Sequence, residues 1–223
     1  MNWQQALDLY CERTDASFWS EPLNALSNAA FLVAAVLLAR RARADGGRAP
    51  RDIDALAVLI ALIGFGSFTF HTVATVWASL LDVLFIQIYI YVYLARYLRR
   101  IVGVNLVWMY GGLVLYWLFE QAVTGGFEPG ALNGSYRYLP ALLALAGMTL
   151  YARRVHVPAA APLAVAVGLL CVSIVLRTID LGVCHLNPLG THFFWHLINA
   201  AVLYYAAVAL LRSEAAGRYP RPI

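Results

Sequence analysis

Thr191-His192-Phe193-Phe194-Trp195-His196 carries two imidazoles at i and i+4, near the start of the last hydrophobic stretch of this chain. On a helix that spacing stands both rings on one face, one turn apart, where two nitrogens can meet one tetrahedral metal ion. One further ligand would make a site. The only other histidine inside a hydrophobic segment is His71, in Ser67-Phe68-Thr69-Phe70-His71, where Ser67 and His71 again share a helix face. A single intramembrane histidine is commonly a packed residue, but His71 is followed by Asp82, set among apolar side chains in Leu80-Leu81-Asp82-Val83-Leu84. A carboxylate there is costly unless it is paired or neutralised by a metal, which makes it a functional candidate. Three neutral imidazoles and one open position form the ligand set of a catalytic zinc, whereas a structural zinc is closed by four ligands. Zinc lowers the pKa of bound water to about 7. Asp82 can take that proton or orient the water, and Ser67 can donate a hydrogen bond to the oxyanion formed on a carbonyl. The reaction class is hydrolysis of an amide or ester.

The elements that must position these residues are membrane spans. With 62% hydrophobic and 13% charged residues among 223, and a mean hydropathy of +0.70, the chain is too apolar for a soluble domain. Seven segments, at 23–39, 55–71, 76–95, 103–123, 138–151, 159–176 and 189–211, are apolar enough to cross about 30 Å of hydrocarbon, some with snorkelling flanks. Their connections are short, so an all-α, seven-transmembrane bundle is expected, as one domain over 1–223 with an amino-terminal segment at 1–21 and a tail at 212–223. All 16 basic residues are arginine. Thirteen of them, within 40–51, 96–100, 153–154 and 212–221, fall on one side if the amino terminus is outside, leaving Arg13, Arg137 and Arg177 on the other. The positive-inside rule therefore places the amino terminus outside and the carboxyl terminus inside. This flank pattern accounts for the pI of about 9.1, and no nucleic-acid partner is expected. The first twenty residues lack a basic stretch followed by an apolar core, so the first span is expected to act as its own anchor. In this topology Ser67, His71, Asp82, His192 and His196 gather in one layer toward the outer face, sunk in the bundle, and the substrate reached from the outer leaflet should be a lipid.

Several polar groups surround that layer. Asp8, Glu12, Asp15 and Glu21 precede the first span; clustered carboxylates can hold a hard cation such as calcium, or the segment can be an interfacial one anchored by Trp3 and Trp19. Glu21, Asn24, Ser27 and Asn28 form a polar stripe that must face the bundle interior, either to bond neighbouring helices or to orient metal ligands. Arg177 and Asp180, at i and i+3, read most simply as a local ion pair. Glu120 has two readings, a lipid-headgroup contact or interfacial water, and Tyr89, Tyr91 and Tyr93 point in several directions as packing and anchoring residues. Cys11 and Cys184 both fall outside, where disulfides persist, and are expected to pair, while Cys171 lies mid-span as a small core residue.

Taken together, Cys11-Glu12, Glu21-x-x-Asn24-x-x-Ser27-Asn28, Ser67-x-x-x-His71, Asp82 and His192-x-x-x-His196 resemble the alkaline ceramidase family, within the CREST superfamily of seven-span membrane hydrolases. The resemblance runs in order through nearly the whole chain. It implies zinc on His71, His192 and His196, with Asp82 handling the water and Ser67 assisting at the oxyanion. It also implies cleavage of the ceramide amide to a sphingoid base and a fatty acid. The family's amino-terminal calcium site uses an Asp-Trp-x-Glu-x-Asn run followed by a glutamate. Here the run reads Leu9-Tyr10-Cys11-Glu12-Arg13-Thr14, so only Glu12 and Glu21 carry over directly as calcium ligands, with Asp8 or Asp15 as candidate substitutes for the missing positions and Asn24 and Asn28 expected to orient the metal ligands. The alanine- and arginine-rich, lysine-free composition points to a bacterial member of the inner membrane with its active site toward the periplasm, and to ceramide or another N-acyl lipid as substrate. Two other readings are a lipid sensor of the same fold with a structural metal, favoured if Asp82 ligates the metal directly, and a haem held by facing histidines.

Overall fold

In the computed structural model, which describes residues 2–44, 49–155 and 157–215, the chain folds into seven helical spans. Arg48, Arg218, Arg221 and the tail beyond residue 215 lie outside the described residues. The first span is two helices, α1 (Pro22–Ser27) and α2 (Ala29–Ala42), interrupted at Asn28. The others are α3 (Arg51–Val73), α4 (Val76–Tyr97), α5 (Leu106–Thr124), α6 (Leu139–Arg154), α7 (Ala160–Ile179) and α8 (His192–Ala215). Six spans are long and apolar enough to cross a membrane. The exception is α6, whose 16 residues reach about 24 Å at 1.5 Å per residue, short of a full hydrocarbon core without local adaptation.

Local chemistry explains where the helices begin and end. Pro22 opens α1 at a position where its missing N–H costs nothing. Asp52 and Asp54 sit in the first turn of α3, and Arg40, Arg41, Arg153 and Arg154 in the last turns of α2 and α6, each complementing the helix dipole. Asn105 caps α5 by accepting from the Trp108 N–H.

Leu38, Ile53, Leu56, Ile60, Leu163 and Leu210 are wholly buried at the centre of the bundle, and the small residues Ala206, Ala207 and Ala209 let α8 approach its neighbours closely. Half of the most apolar stretch of α3 and of α8 is buried within the protein, against 11% for α5, which therefore lies at the periphery with Val107 and Leu115 turned outward. Gly66 permits a close approach between α3 and α4: a Cβ there would stand 2.8 Å from the Leu81 carbonyl oxygen. That contact sets Ser67 and Asp82, each one residue further along, against one another.

The amino-terminal segment covers one end of this bundle. Leu7 N donates to Ala74 O (2.8 Å), Val76 N to Gln5 O (3.1 Å) and Trp77 N to Trp3 O (3.2 Å), which lays the segment along the turn between α3 and α4. The expected disulfide forms: Cys11 is bonded to Cys184, across 173 residues of sequence. It ties the segment to the connection between α7 and α8.

Candidate metal centre and active site

The candidate ligands come from both ends of the sequence. His71 stands in the last turn of α3, and His192 and His196 in the first two turns of α8, all three rings at most 2% exposed. One nitrogen from each lies within 4.8 Å of the others, the only such group of three or more histidine, cysteine or acidic side chains among the described residues.

The hydrogen bonds assign the protons. Glu21 is a carboxylate that can only accept, so His71 Nδ1 must donate to its Oε2, 2.6 Å away. That leaves the His71 Nε2 lone pair free. Ser27 spends its single hydroxyl proton on Asn24 O (2.9 Å), so its Oγ accepts from His196 Nδ1 at 2.7 Å, and the His196 Nε2 lone pair is free as well. These two Nε2 atoms face each other at 3.1 Å. Two nitrogens sharing a tetrahedral zinc at about 2.0–2.1 Å stand roughly 3.3 Å apart, so the pair is already near the required spacing. The third ring, His192, has a buried Nδ1 with no hydrogen-bond partner. Two lone pairs converging on one point beside a third imidazole repel one another unless a cation lies between, and on that count the residues fit a divalent metal.

Asp82 belongs to the neighbourhood but stands outside the 4.8 Å group. It shares the lining of one cavity with Ser67, whose Oγ lies 3.4 Å from His196 Nε2. Ser67, Asp82 and His196 together line one end of a narrow, mainly apolar slot of about 100 Å³, whose other walls include Leu94, Met148 and Ala206. From Asp82 to Leu94 the slot follows α4 for about 18 Å, the reach of a long acyl chain.

A ring of residues less visible in the sequence holds the site together. Tyr10, buried at 5% exposure, stacks on His192 with ring centroids 3.6 Å apart, and burial pushes its phenol well above the usual range. Its hydroxyl accepts from Arg177 (3.2 Å). Arg177 also donates to Asn133 O and to Ser135 Oγ (3.2 Å), and its guanidinium lies 5.4–5.8 Å from the ring centroids of Tyr10, Tyr138 and Trp195. The local ion pair expected with Asp180 does not form. Asp180 instead accepts from the backbone N–H groups of Cys11 (3.1 Å), Thr191 (2.6 Å) and His192 (2.9 Å), which fixes the start of α8. The i, i+3 spacing was a poor guide because each charge finds better partners on another segment.

The residues proposed for calcium are used differently. Glu12 accepts from Leu23 N (2.6 Å) and Asn24 N (2.8 Å), closing the start of α1; burial raises its carboxyl against these two N–H groups, which lower it. Glu21 is ion-paired with Arg13 as well as bonded to His71 and Asn24 Nδ2. Burial works to raise its carboxyl, but these partners hold it below the usual carboxylate range. Arg13, 7% exposed, donates further to Asp15 O (3.0 Å) and His71 O (2.9 Å). Calcium wants six to eight oxygens. Here a guanidinium already stands as the cation beside Glu21, among the oxygens a metal would need, and the residues do not fit a calcium ion. Asn24 and Asn28 act one step further out: Asn28 Nδ2 donates to Asn24 O (2.8 Å), which steadies the break between α1 and α2.

A family model described as Ceramidase matches residues 9–222 of this chain. The chain belongs to the ceramidase family. No curated protein matches it. Membership implies a hydrolase acting on an amide bond and a lipid substrate such as ceramide, and the three-histidine group supplies a place for a metal ion.

Proposed function

We propose that this ceramidase-family chain is a zinc-dependent hydrolase of the bilayer, cleaving the amide of ceramide or a related N-acyl lipid to an amine lipid and a fatty acid. The observation that carries this reading is the pair of free Nε2 lone pairs 3.1 Å apart, beside a third buried imidazole, at one end of an apolar slot. Zinc held by His71, His192 and His196 would supply a water acidic enough to ionise near neutral pH.

The chain's own residues account for the rest. The slot takes an acyl chain and excludes water, which brings the amide carbonyl to Ser67 and Asp82. Ser67 Oγ donates to the carbonyl oxygen as negative charge develops on it. Asp82 accepts a proton from the attacking water and returns it to the leaving nitrogen, so that the amine departs neutral. Glu21 and Ser27 hold the two imidazoles in the tautomers that keep Nε2 free.

The sensor reading is favoured if Asp82 ligates the metal directly, and a ligand group made of the three histidines without Asp82 supports the enzyme instead. A haem between His71 and His196 is disfavoured by the 3.1 Å gap, which leaves no room for a porphyrin. For orientation, we place the site end on the extracytoplasmic side, supported by the disulfide at that end and by the arginines flanking the opposite ends of the helices.

Elemental analysis and lipid hydrolysis test the proposal together. The purified protein is expected to carry one zinc per chain and to release fatty acid from ceramide or another lipid in an N-acyl panel. Chelation should abolish release and zinc should restore it. Zinc-loaded protein that hydrolyses none of the panel would transfer the weight to the sensor reading.

A further inference from the structure

A second cavity, of about 410 Å³, lies between α4, α5 and the turn at Ala131–Tyr138, and the proposed hydrolysis makes no use of it. Ile86, Ile90, Tyr116 and Tyr138 line both this cavity and the apolar slot, so the two spaces adjoin through shared walls. Its acidic group is Glu120, on α5 about one turn before the helix ends at Thr124. Gln87 Nε2 donates to both carboxylate oxygens, at 2.8 and 2.9 Å, and Tyr91 OH donates to one of them at 3.1 Å.

These donors are all neutral. Among the described residues no basic side chain comes within 4.0 Å of the Glu120 carboxylate. Arg137 lines the same cavity but keeps its guanidinium at the exposed side, 5.8 Å from the Tyr136 ring centroid and bonded to the Tyr136 hydroxyl. A half-buried carboxylate held near the end of a membrane helix by dipoles alone lacks the counter-charge that such groups normally have. The cation that would complete it meets a polar end at Gln87 and Thr124 and an apolar wall at Val83, Ile86 and Ile90 that continues into the slot, which points to an ammonium on a long chain.

Amide cleavage generates that species. Water oxygen bonds to the carbonyl carbon, the C–N bond breaks, and the nitrogen leaves with the proton returned by Asp82. The fatty acid then loses its proton and the amine gains one, so the products are a carboxylate and a long-chain ammonium. We propose that the Glu120 cavity is a binding site for the ammonium of the long-chain amine product, on its way out of the apolar slot. Gln87 and Tyr91 aim the carboxylate, and Glu120 supplies the charge. The source of the amine rests on the amidase reading, whereas the binding site can be tested without catalysis.

The test is binding of a long-chain primary amine to the full chain in phosphatidylcholine nanodiscs, beside the fatty alcohol of equal length. The amine should bind about tenfold or more tightly than the alcohol, as a hydrogen bond to a charged partner allows. Glu120→Gln should remove that preference while leaving alcohol binding unchanged, which shows that the cavity is intact. His196→Ala should keep the preference. An amine that binds no better than the alcohol, or equally well to Glu120→Gln, would overturn the proposal, and loss in His196→Ala would place the amine at the histidines instead. Replacing phosphatidylcholine by phosphatidylethanolamine should leave amine binding unchanged; suppression would assign the site to a lipid headgroup and overturn the product role. Glu120-dependent amine binding in a protein that hydrolyses no N-acyl lipid would sustain the site and defeat only the amidase reading.

Discussion

At the residue scale, the two free imidazole nitrogens depend on partners supplied by the first span. Ser27 can accept from His196 only because its own proton goes to the Asn24 carbonyl, and Glu21 can accept from His71 because it stays ionised beside Arg13. Ser27→Ala should therefore lower zinc affinity by about 10–100-fold, the usual cost of losing a group that orients a metal ligand. Competition with a chelating dye measures it, and Ser27→Thr, which keeps the hydroxyl, should recover most of the loss. Much of this was legible in the sequence. The i, i+4 histidines, the intramembrane aspartate and the polar stripe announce a site, and two residues of the stripe, Glu21 and Ser27, bond the histidine rings. The division of labour within it was not legible, since Glu21 and Ser27 touch the rings, Asn24 Nδ2 donates to the Glu21 oxygen that binds His71, and Asn28 braces the backbone behind them. Tyr10 and Arg13 were also obscure as site residues, because their partners lie far along the chain.

At the scale of elements, the start of α8 and the amino-terminal segment are held by connections that no local pattern announces. Gly190 has a φ of +63°, and a Cβ there would fall 2.2 Å from the Asp180 oxygen that binds Thr191 N and His192 N. Gly190→Ala should cost at least about 1–3 kcal/mol from the backbone conformation alone and displace His192. A lower unfolding temperature in detergent together with weakened zinc binding would check both effects. Arg13 ties the amino-terminal segment to Glu21 and to the end of α3. Removing one partner of a buried ion pair commonly costs about 3–5 kcal/mol, so Arg13→Gln should destabilise the protein strongly. Hydrolysis by the unaltered chain should be indifferent to a calcium-selective chelator, and a fall in activity restored by calcium would contradict the guanidinium's role. Six of the spans were readable from apolar length alone, the short α6 being the exception. The break at Asn28 and the separate partners of Arg177 and Asp180 were not, since both arise from tertiary hydrogen bonds.

For the whole molecule, alternating direction in successive spans brings the end of α3, the start of α4 and the start of α8 to one level, which is why topology alone could gather Ser67, His71, Asp82, His192 and His196. The well-buried α3 and α8 carry the histidines, while peripheral α5 borders the second cavity. A well-buried centre beside a sparsely buried wall would suit the proposed hydrolase, which holds a metal at the centre and admits and releases lipids at the wall. What distinguishes such an enzyme from a metal-bearing sensor is whether Asp82 moves protons. The decisive measurement is zinc content and fatty-acid release from an N-acyl lipid by Asp82→Asn beside the unaltered protein. The account predicts one zinc per chain in both proteins, with release reduced by at least about 10²-fold in the variant, as expected for loss of a general base. Full zinc with undiminished hydrolysis in Asp82→Asn, or loss of the zinc itself, would contradict the role assigned to Asp82.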